Sequence, residues 1–260
     1  MDSYNPLISI IIAVYNGAKY LEGAIKSIID QEYENYEIIV IDAGSTDNTN
    51  DIINLYREHI FYTISEKDNG IYDAWNKGLK ASTGTWIAFL GSDDLYYPHA
   101  LKSYVSYIAT HINKDRLEFI SSKIDLVDNN LIRLETVGKE WEWDLFKHKM
   151  ITWHVGCFHS RALFNKYGFF DDTFKISGDY EFLLRPKNSL NAAYLPVSTV
   201  MMRHGGVSTT LLFKAIDETY RAKVKNGIIS PLIAPIFIYN NKIKLFVKMQ
   251  FVKYGFIDKL

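Results

Sequence analysis

Three aspartates stand at the carboxyl ends of apolar runs, where a parallel sheet exposes its chemistry. Asp42 closes residues 36–42 (YEIIVID), and Asp93 and Asp94 follow residues 85–90 (TWIAFL) after Gly91 and Ser92. Adjacent carboxylates repel, so their pairing requires either water or a cation. A divalent metal bridging Asp93 and Asp94 to a diphosphate would relieve the repulsion and activate the phosphate as a leaving group. A solvated turn running to the helix near Pro98 is the plainer reading of the same pair. The turn Ala43-Gly44-Ser45-Thr46-Asp47 offers small residues, hydroxyls and helix-opening amides suited to a polar or anionic ligand. Taken alone it also reads as an ordinary strand-to-helix turn capped by Ser45 or Thr46.

The elements that must position these groups follow from alternating patterns. Residues 7–14 (LISIIIAV) form a continuous β-branched run, as expected of a strand buried on both faces. Residues 18–30 then place Leu21, Ala24, Ile25, Ile28 and Ile29 at helical spacing. A strand over 36–42, a helix over 45–58, a short strand over 61–65, a helix over 71–81 and a strand over 85–90 complete the first part. Strands alternating with helices imply βαβ units and a mainly parallel sheet. Ligands of such sheets sit outside the carboxyl ends of the strands, so Asp42, Asp93 and Asp94 should converge on one edge. After Pro98 a helix over 99–110 leads to strand-like runs flanking Asp128-Asn129-Asn130, a hairpin signature. Residues 141–190 mix aromatics, histidines and short helices, and residues 191–204 read as a strand. With no repeat and no low-complexity linker, the second half should pack onto the first as one continuous structure.

Composition narrows the classes. The 260 residues, 48% hydrophobic and 15% aromatic, suffice for one sizeable core. A net charge of −1 lacks the basic excess of a nucleic-acid binder. The single cysteine, Cys157, rules out an internal disulfide and suits a reducing cytoplasm. The opening MDSYNPLISI has neither a basic n-region nor a cleavage site, so no signal peptide is expected. No apolar run reaches the ~18 residues of a membrane span. Residues 221–260 carry eight basic side chains against one acid, Asp258, interleaved with aliphatic and aromatic residues. Such a segment either lies in a membrane interface or packs on the core as a terminal helix with solvated lysines.

VYNG (residues 14–17), IDAGSTDNT (41–49) and EKDNGIYDAWNKGLKASTGTWIAFLGSDD (66–94) resemble, in order and spacing, family 2 glycosyltransferases of the GT-A fold. DNGIYDAWNKGL is especially similar to the subgroup that builds capsules, exopolysaccharides and lipopolysaccharide. The resemblance implies a Rossmann-like three-layer α/β/α sandwich with C-terminal helices. Residues 1–97 would form its nucleotide-sugar half, 98–210 its acceptor half, and 211–260 a helical, basic, amphipathic extension. Asp42 would hydrogen-bond the nucleotide base, in a pocket lined by Ala13, Val14 and Tyr15, with the Gly44-Ser45 turn beside it. Asp68 would lie near base or ribose, and Asn76 and Lys77 would shape the nucleotide site, Lys77 near phosphate. Ser92-Asp93-Asp94 would stand for the family's acidic motif, Asp93 towards ribose and metal and Asp94 towards the metal, Mg²⁺ or Mn²⁺. Many members have an acid or Asn where this chain has Gly91, which removes one potential ligand.

ISGDYEFLLR (176–185) is similar to the segment that carries the family's catalytic base. The usual Glu-Asp pair appears as Gly178-Asp179, so the resemblance implies Asp179 as base, with Glu181 second. The other reading of Asp179 is a cap for a helix running to Leu190. Trp153, His154 and His204 fall where the family lines its acceptor and diphosphate region. Trp153 could stack on a sugar face or simply fill the core, and a lone histidine is often structural.

The implied activity is an inverting transfer from a nucleotide-diphosphate sugar, with UDP leading, to a hydroxyl of a surface-polysaccharide or lipid-linked glycan precursor. Such a displacement needs a carboxylate to take the acceptor's proton. The Gln-x-x-Arg-Trp motif and membrane spans of the processive synthases are lacking, so a single-sugar transfer is expected at the inner face of the cytoplasmic membrane. The turn YNGAKYLEG is neither the Gly-x-Gly-x-x-Gly of a dehydrogenase nor the Gly-rich phosphate loop of a nucleotidyltransferase. The remaining alternative is a catalytically inactive glycan-binding or scaffold subunit. It would be expected to have lost acids that here remain, Asp93, Asp94 and Asp179.

Overall fold

The computed structural model describes residues 4–205 and 211–253. The opening apolar run becomes β1 (Ile8–Val14), whose side chains alternate between two cores. Ile8, Ile10, Ile12 and Val14 face one core and Ile11 the other. A strand with no polar face needs helices on both sides. On the first side α1 (Leu21–Ile29), α2 (Thr49–Leu55) and α4 (Ala100–Thr110) bury Leu21, Ile25, Ile53, Leu101 and Tyr104. On the other, α3 (Ile71–Ala81), α6 (Arg161–Tyr167) and α7 (Gly178–Leu184) bury Trp75, Leu79, Phe164 and Phe182. The expected three-layer α/β/α sandwich is therefore present.

The strands β3 (Ile60–Ser65), β2 (Tyr36–Asp42), β1 and β4 (Trp86–Gly91) are parallel neighbours in that order. Register sets Val14 beside Asp42 and Ala13 beside Gly91, so the carboxyl ends of these strands share one edge. The order reverses between β1 and β4, the switch point where open α/β sheets bind ligands. Past β4 the sheet continues through β8 (Cys157–Ser160), antiparallel to both β4 and β6 (Phe119–Val127). Along its other edge β6 runs parallel to β9 (Ala192–Arg203). Where β8 stops at Ser121, β7 (Arg133–Val137) takes over its edge of β6 from Ile124 onward. The β6–β7 turn is the expected Asx turn, with Asp128 Oδ1 accepting the N–H groups of Asn130 and Ile132 at 2.9 and 2.8 Å. The short β5 (Leu95–Tyr96) pairs with β9, and α5 (Trp143–Phe146) precedes β8.

Two segments differ from the sequence reading. The helix expected from residue 45 begins only at Thr49, and side chains at and before its start tie it to the loop after β1. The Asn16 N–H donates to Ser45 Oγ at 2.7 Å, the Gly17 N–H to Thr49 Oγ1 at 2.9 Å and the Ala18 N–H to Asp47 at 3.1 Å. Near the C-terminus, the helix Leu212–Lys225 packs into the globular body, with Glu218, Ala222 and Lys223 buried. The following helix, Ala234–Lys253, rests on it through the Tyr220–Phe237 ring stack and a 2.6 Å Lys242–Asp217 ion pair. Along this helix the apolar and basic residues are mixed around the axis and not gathered into two faces. Ile236, Phe237, Tyr239, Ile243, Phe246 and Val247 are exposed. The tail residues Tyr254, Phe256, Ile257, Asp258 and Lys259, and Gly206 after His204, lie outside the described residues.

The seat of α3 on β1 is tight at Gly78, where a Cβ would stand 2.5 Å from Ile11 Cγ2. Overpacking of this kind costs about 1–3 kcal/mol. Gly78→Ala should therefore lower the urea midpoint while leaving the slope of the transition unchanged.

Candidate active site

A pocket of about 490 Å³ opens at the carboxyl ends of β1 and β2, lined by Ala13, Val14, Tyr15, Ala43, Lys67, Asp68, Gly70 and Ile71. Four residues expected at a nucleotide, Ala13, Val14, Tyr15 and Asp68, line it. Asp42 does not. Its carboxylate is fully buried and accepts from the Ser45 N–H, the Ser45 hydroxyl and the Ser65 hydroxyl. A desolvated carboxylate keeps the donors that satisfy it, so Asp42 fixes the turn behind the pocket. Gly44, with φ of 79°, takes the left-handed conformation that this turn requires, and Ser45 is the clasp; neither lines the pocket. Asp68 is the carboxylate that does, and its Oδ1 accepts the Gly70 N–H at 2.8 Å.

Two further residues singled out in the sequence have partners within the protein. Lys77 pairs with Glu66 at 2.8 Å and donates to the Lys67 carbonyl at 3.3 Å, so its charge braces the pocket loop and does not line the pocket. Asn76 is consumed by the backbone of Phe170, donating to its carbonyl at 2.9 Å and accepting its N–H at 3.0 Å. It pins the segment before α7 onto α3.

The acid pair lies past β4, where Ser92 sits against Gly17. Asp94 is buried, and its Oδ1 accepts the Arg203 N–H at 2.9 Å. The Arg203 guanidinium donates to the Asp93 carbonyl and lies 4.5 Å over the Tyr20 ring. Burial, and then the neighbouring Asp93 charge, push the Asp94 carboxyl up to about 7, against the pull of the Arg203 amide and His154. Gly91 makes this arrangement possible, since a Cβ there would run into Asp94 Oδ2 and come within 3.1 Å of Asp93 Oδ1. Among the described residues no three His, Cys, Asp or Glu side chains group to hold a metal ion. Two adjacent carboxylates, one poorly solvated, fit a hard divalent ion whose other ligands come from a diphosphate, not an ion held by protein alone.

A second cavity, of about 370 Å³, gathers Trp153, His154, Asp179, Arg203 and His204 from distant parts of the chain. Asp179 lies inside the first turn of α7, which ends at Leu184 and not at Leu190. Its Oδ1 accepts the Tyr72 hydroxyl at 3.0 Å and the Tyr180 N–H at 2.8 Å. His154 Nδ1 stands 3.6 Å from Oδ2, too far for a hydrogen bond, and its ring packs on Trp75. One carboxylate oxygen thus remains free of a hydrogen-bonded side chain at the cavity wall. Glu181 is unsuited to proton transfer: it is fully buried, paired with Arg185 at 2.5 Å and Lys225 at 3.1 Å, and absent from the cavity lining. Two residues along a helix point to opposite sides, which separates it from Asp179.

Glu218 is a contributor that its sequence context does not betray, a single acid in an ordinary helical pattern. Its buried carboxylate accepts the N–H groups of Lys175, Ile176 and Ser177 at 3.0, 2.7 and 3.0 Å, fixing the segment that enters α7. Tyr72 likewise reads, inside DNGIYDAWNKGL, as one more apolar helical position.

The architecture is similar to that of known GT-A-like glycosyltransferases. S. aureus TarS 1–349 in complex with UDP-GlcNAc matches with a TM-score of 0.66 at 19% identity, over 84% of this chain and 66% of that one. The mannosyltransferase PcManGT from Pyrobaculum calidifontis, in complex with GDP-Man and Mn²⁺, matches at 0.64 and 16% identity, over 90% of this chain and 68% of that one. These likenesses concern the fold. The family model for glycosyl transferase family 2 matches residues 9–166, and the chain belongs to that family. A PGL/p-HBAD biosynthesis glycosyltransferase of Mycobacterium tuberculosis is 31% identical over 233 residues, covering 86% of this chain and 87% of the relative. An uncharacterised glycosyltransferase of Rickettsia typhi is 33% identical over 213 residues, 78% of this chain. The chain spans 63% of that relative's length.

Removing the Glu218 carboxylate would strand three amides at the entrance to α7. Buried donors left without partners cost about 1–3 kcal/mol, so Glu218→Ala should lower the thermal midpoint by several degrees, with the loss measurable by calorimetry.

Proposed function

We propose that this protein transfers a single sugar, with inversion, from a nucleotide-diphosphate sugar to a hydroxyl of a surface-polysaccharide or lipid-linked glycan precursor. What carries this reading is Asp179, a carboxylate held on one oxygen by Tyr72, with His154 3.6 Å from the other, in the wall of a cavity distinct from the pocket at β1 and β2. The first pocket suits a nucleotide, and the second has a proton acceptor in its wall, as an acceptor site needs. The TarS complex with UDP-GlcNAc supports a UDP-sugar as the leading donor. The mycobacterial relative's role in PGL/p-HBAD biosynthesis supports a biosynthetic transfer.

In this mechanism Ala13, Val14, Tyr15 and Asp68 receive the nucleoside. Asp179 takes the proton of the acceptor hydroxyl as its oxygen bonds to the anomeric carbon. On the opposite face the bond from that carbon to the diphosphate oxygen breaks, and the nucleoside diphosphate leaves with the electron pair. Asp93 and Asp94 would hold Mg²⁺ or Mn²⁺, which supplies charge neutralisation for the leaving diphosphate. His154 and His204 offer polar contacts to acceptor or diphosphate, and Trp153 an aromatic face for a sugar ring. No helix among the described residues is long and apolar enough to cross a membrane. We assign the protein to the cytoplasmic membrane face, where exposed lysines of the last helix such as Lys244 and Lys248 would be drawn to an anionic lipid surface.

Calorimetric titration with UDP, GDP and dTDP should reveal one nucleotide whose binding strengthens with Mn²⁺, and Asp94→Asn should abolish that increment. Asp179→Asn should bind the same nucleotide normally, yet release nucleoside diphosphate from the matching sugar nucleotide about 100-fold more slowly or worse. Wild-type turnover in that variant would exclude Asp179 as the base. Folded wild-type protein inert towards every donor would instead favour the scaffold reading.

A further inference from the structure

We infer that Tyr72 is the positioning residue for Asp179, and that position 178 must be glycine because the Tyr72 ring fills the space a side chain there would need. The inference rests on the reading of Asp179 as the base. The single O–H of Tyr72 is shared between two acceptors in the segment entering α7, the Ile176 carbonyl at 2.7 Å and Asp179 Oδ1 at 3.0 Å. One phenol therefore fixes both the backbone before the helix and the carboxylate in its first turn. The ring is 2% exposed and set edge-on to Trp75 at 5.3 Å, with Phe170 at 5.6 Å on another side. Burial, and next the charge of Asp179, hold its phenol proton far more tightly than in water, so it stays a donor.

Gly178 faces this ring. A Cβ at 178 would stand 2.7, 2.8 and 2.9 Å from Cε2, Cδ2 and Cζ of Tyr72. The ring is buried against Trp75 and Phe170 and tethered by its hydroxyl, so it is not the free end of a flexible side chain that could swing away. Gly178 is not in the left-handed region, so its backbone would accept any residue, and contact alone excludes one. A side chain at 178 would push Tyr72 aside, and with it the hydroxyl that aims Asp179. Ile71, the residue before Tyr72, lines the pocket at β1 and β2. A single helical turn thus touches the donor site with one residue and the base with the next.

The test uses full-length protein, a panel of UDP-, GDP- and dTDP-sugars with Mn²⁺, release of nucleoside diphosphate with water as acceptor, and thermal unfolding. Tyr72→Phe keeps the ring and deletes only the donor. It should lower kcat about tenfold with donor KM within about twofold of wild type, while the thermal midpoint falls by less than about 4 °C. Gly178→Ala should lower both kcat and the midpoint, but in a Tyr72→Ala background it should cost no further stability, because the space is then free. Wild-type kcat in Tyr72→Phe alongside an inactive Asp179→Asn would overturn the positioning role alone. Equal destabilisation by Gly178→Ala in both backgrounds would overturn the steric claim. Full turnover in Asp179→Asn, or none in the wild type with any donor, would remove the base reading beneath both.

Discussion

β1 has no side to give to water. Ile8, Ile10, Ile12 and Val14 require one apolar layer and Ile11 another, and parallel pairing to β2 and β4 forbids short hairpins. Each connection must therefore cross a face of the sheet as a helix, which places α1 and α2 on one side and α3 on the other. The same parallel register sets Val14 beside Asp42 and Ala13 beside Gly91, so the three strands end together. Loops that leave those strand ends are forced together, and the donor pocket and the acid pair both arise there. The site is a by-product of burying one strand.

Carboxylates around this edge divide by how fully they are satisfied. Asp42 is saturated by Ser45 and Ser65, Glu181 by Arg185 and Lys225, and Glu218 by three backbone amides. These hold the framework, and none lines either cavity. Asp94 and Asp179 keep spare capacity: Asp94 is buried beside a like charge, and Asp179 has one oxygen without a hydrogen-bonded side chain. Charge that is incompletely met in the folded protein is where a cation or a proton has something to gain. The division between structural and chemical acids follows from partners, not from residue type.

Glycines mark the tight places. Gly78 lets α3 seat on β1, Gly91 lets Asp94 fold back over its turn, and Gly178 admits the ring of Tyr72. None of the three has a positive φ, so what a Cβ would meet there is contact: Ile11 at Gly78, the Asp94 carboxylate at Gly91 and the Tyr72 ring at Gly178. Sequence inspection registers glycine most readily as a flexible turn. It has no means of seeing a distant ring or methyl that occupies the missing Cβ's place.

Local patterns in the chain were sufficient for the alternating strands and helices of the first part, their parallel pairing, the Asx hairpin at Asp128 and the convergence of the ends of β2 and β4 on one edge, while the three layers came with the family resemblance. These depend on periodicity and on rules that act over a few residues. Of the residues singled out by the motifs resembling family 2 glycosyltransferases, Asp68 lines the pocket at β1 and β2, Asp179 lines the second cavity, and Asp94 is buried in the turn after β4. What the chain alone did not decide was which polar groups would be spoken for. Asp42, Asn76, Lys77 and Glu181 lose their expected contacts to Ser65, Phe170, Glu66 and Lys225, up to 94 positions away in sequence. The helix Leu212–Lys225, expected as an extension, proves integral because Glu218 caps amides of residues 175–177. Hydrogen-bond partnership and steric exclusion are settled by proximity in space, and for these residues only the folded chain creates that proximity.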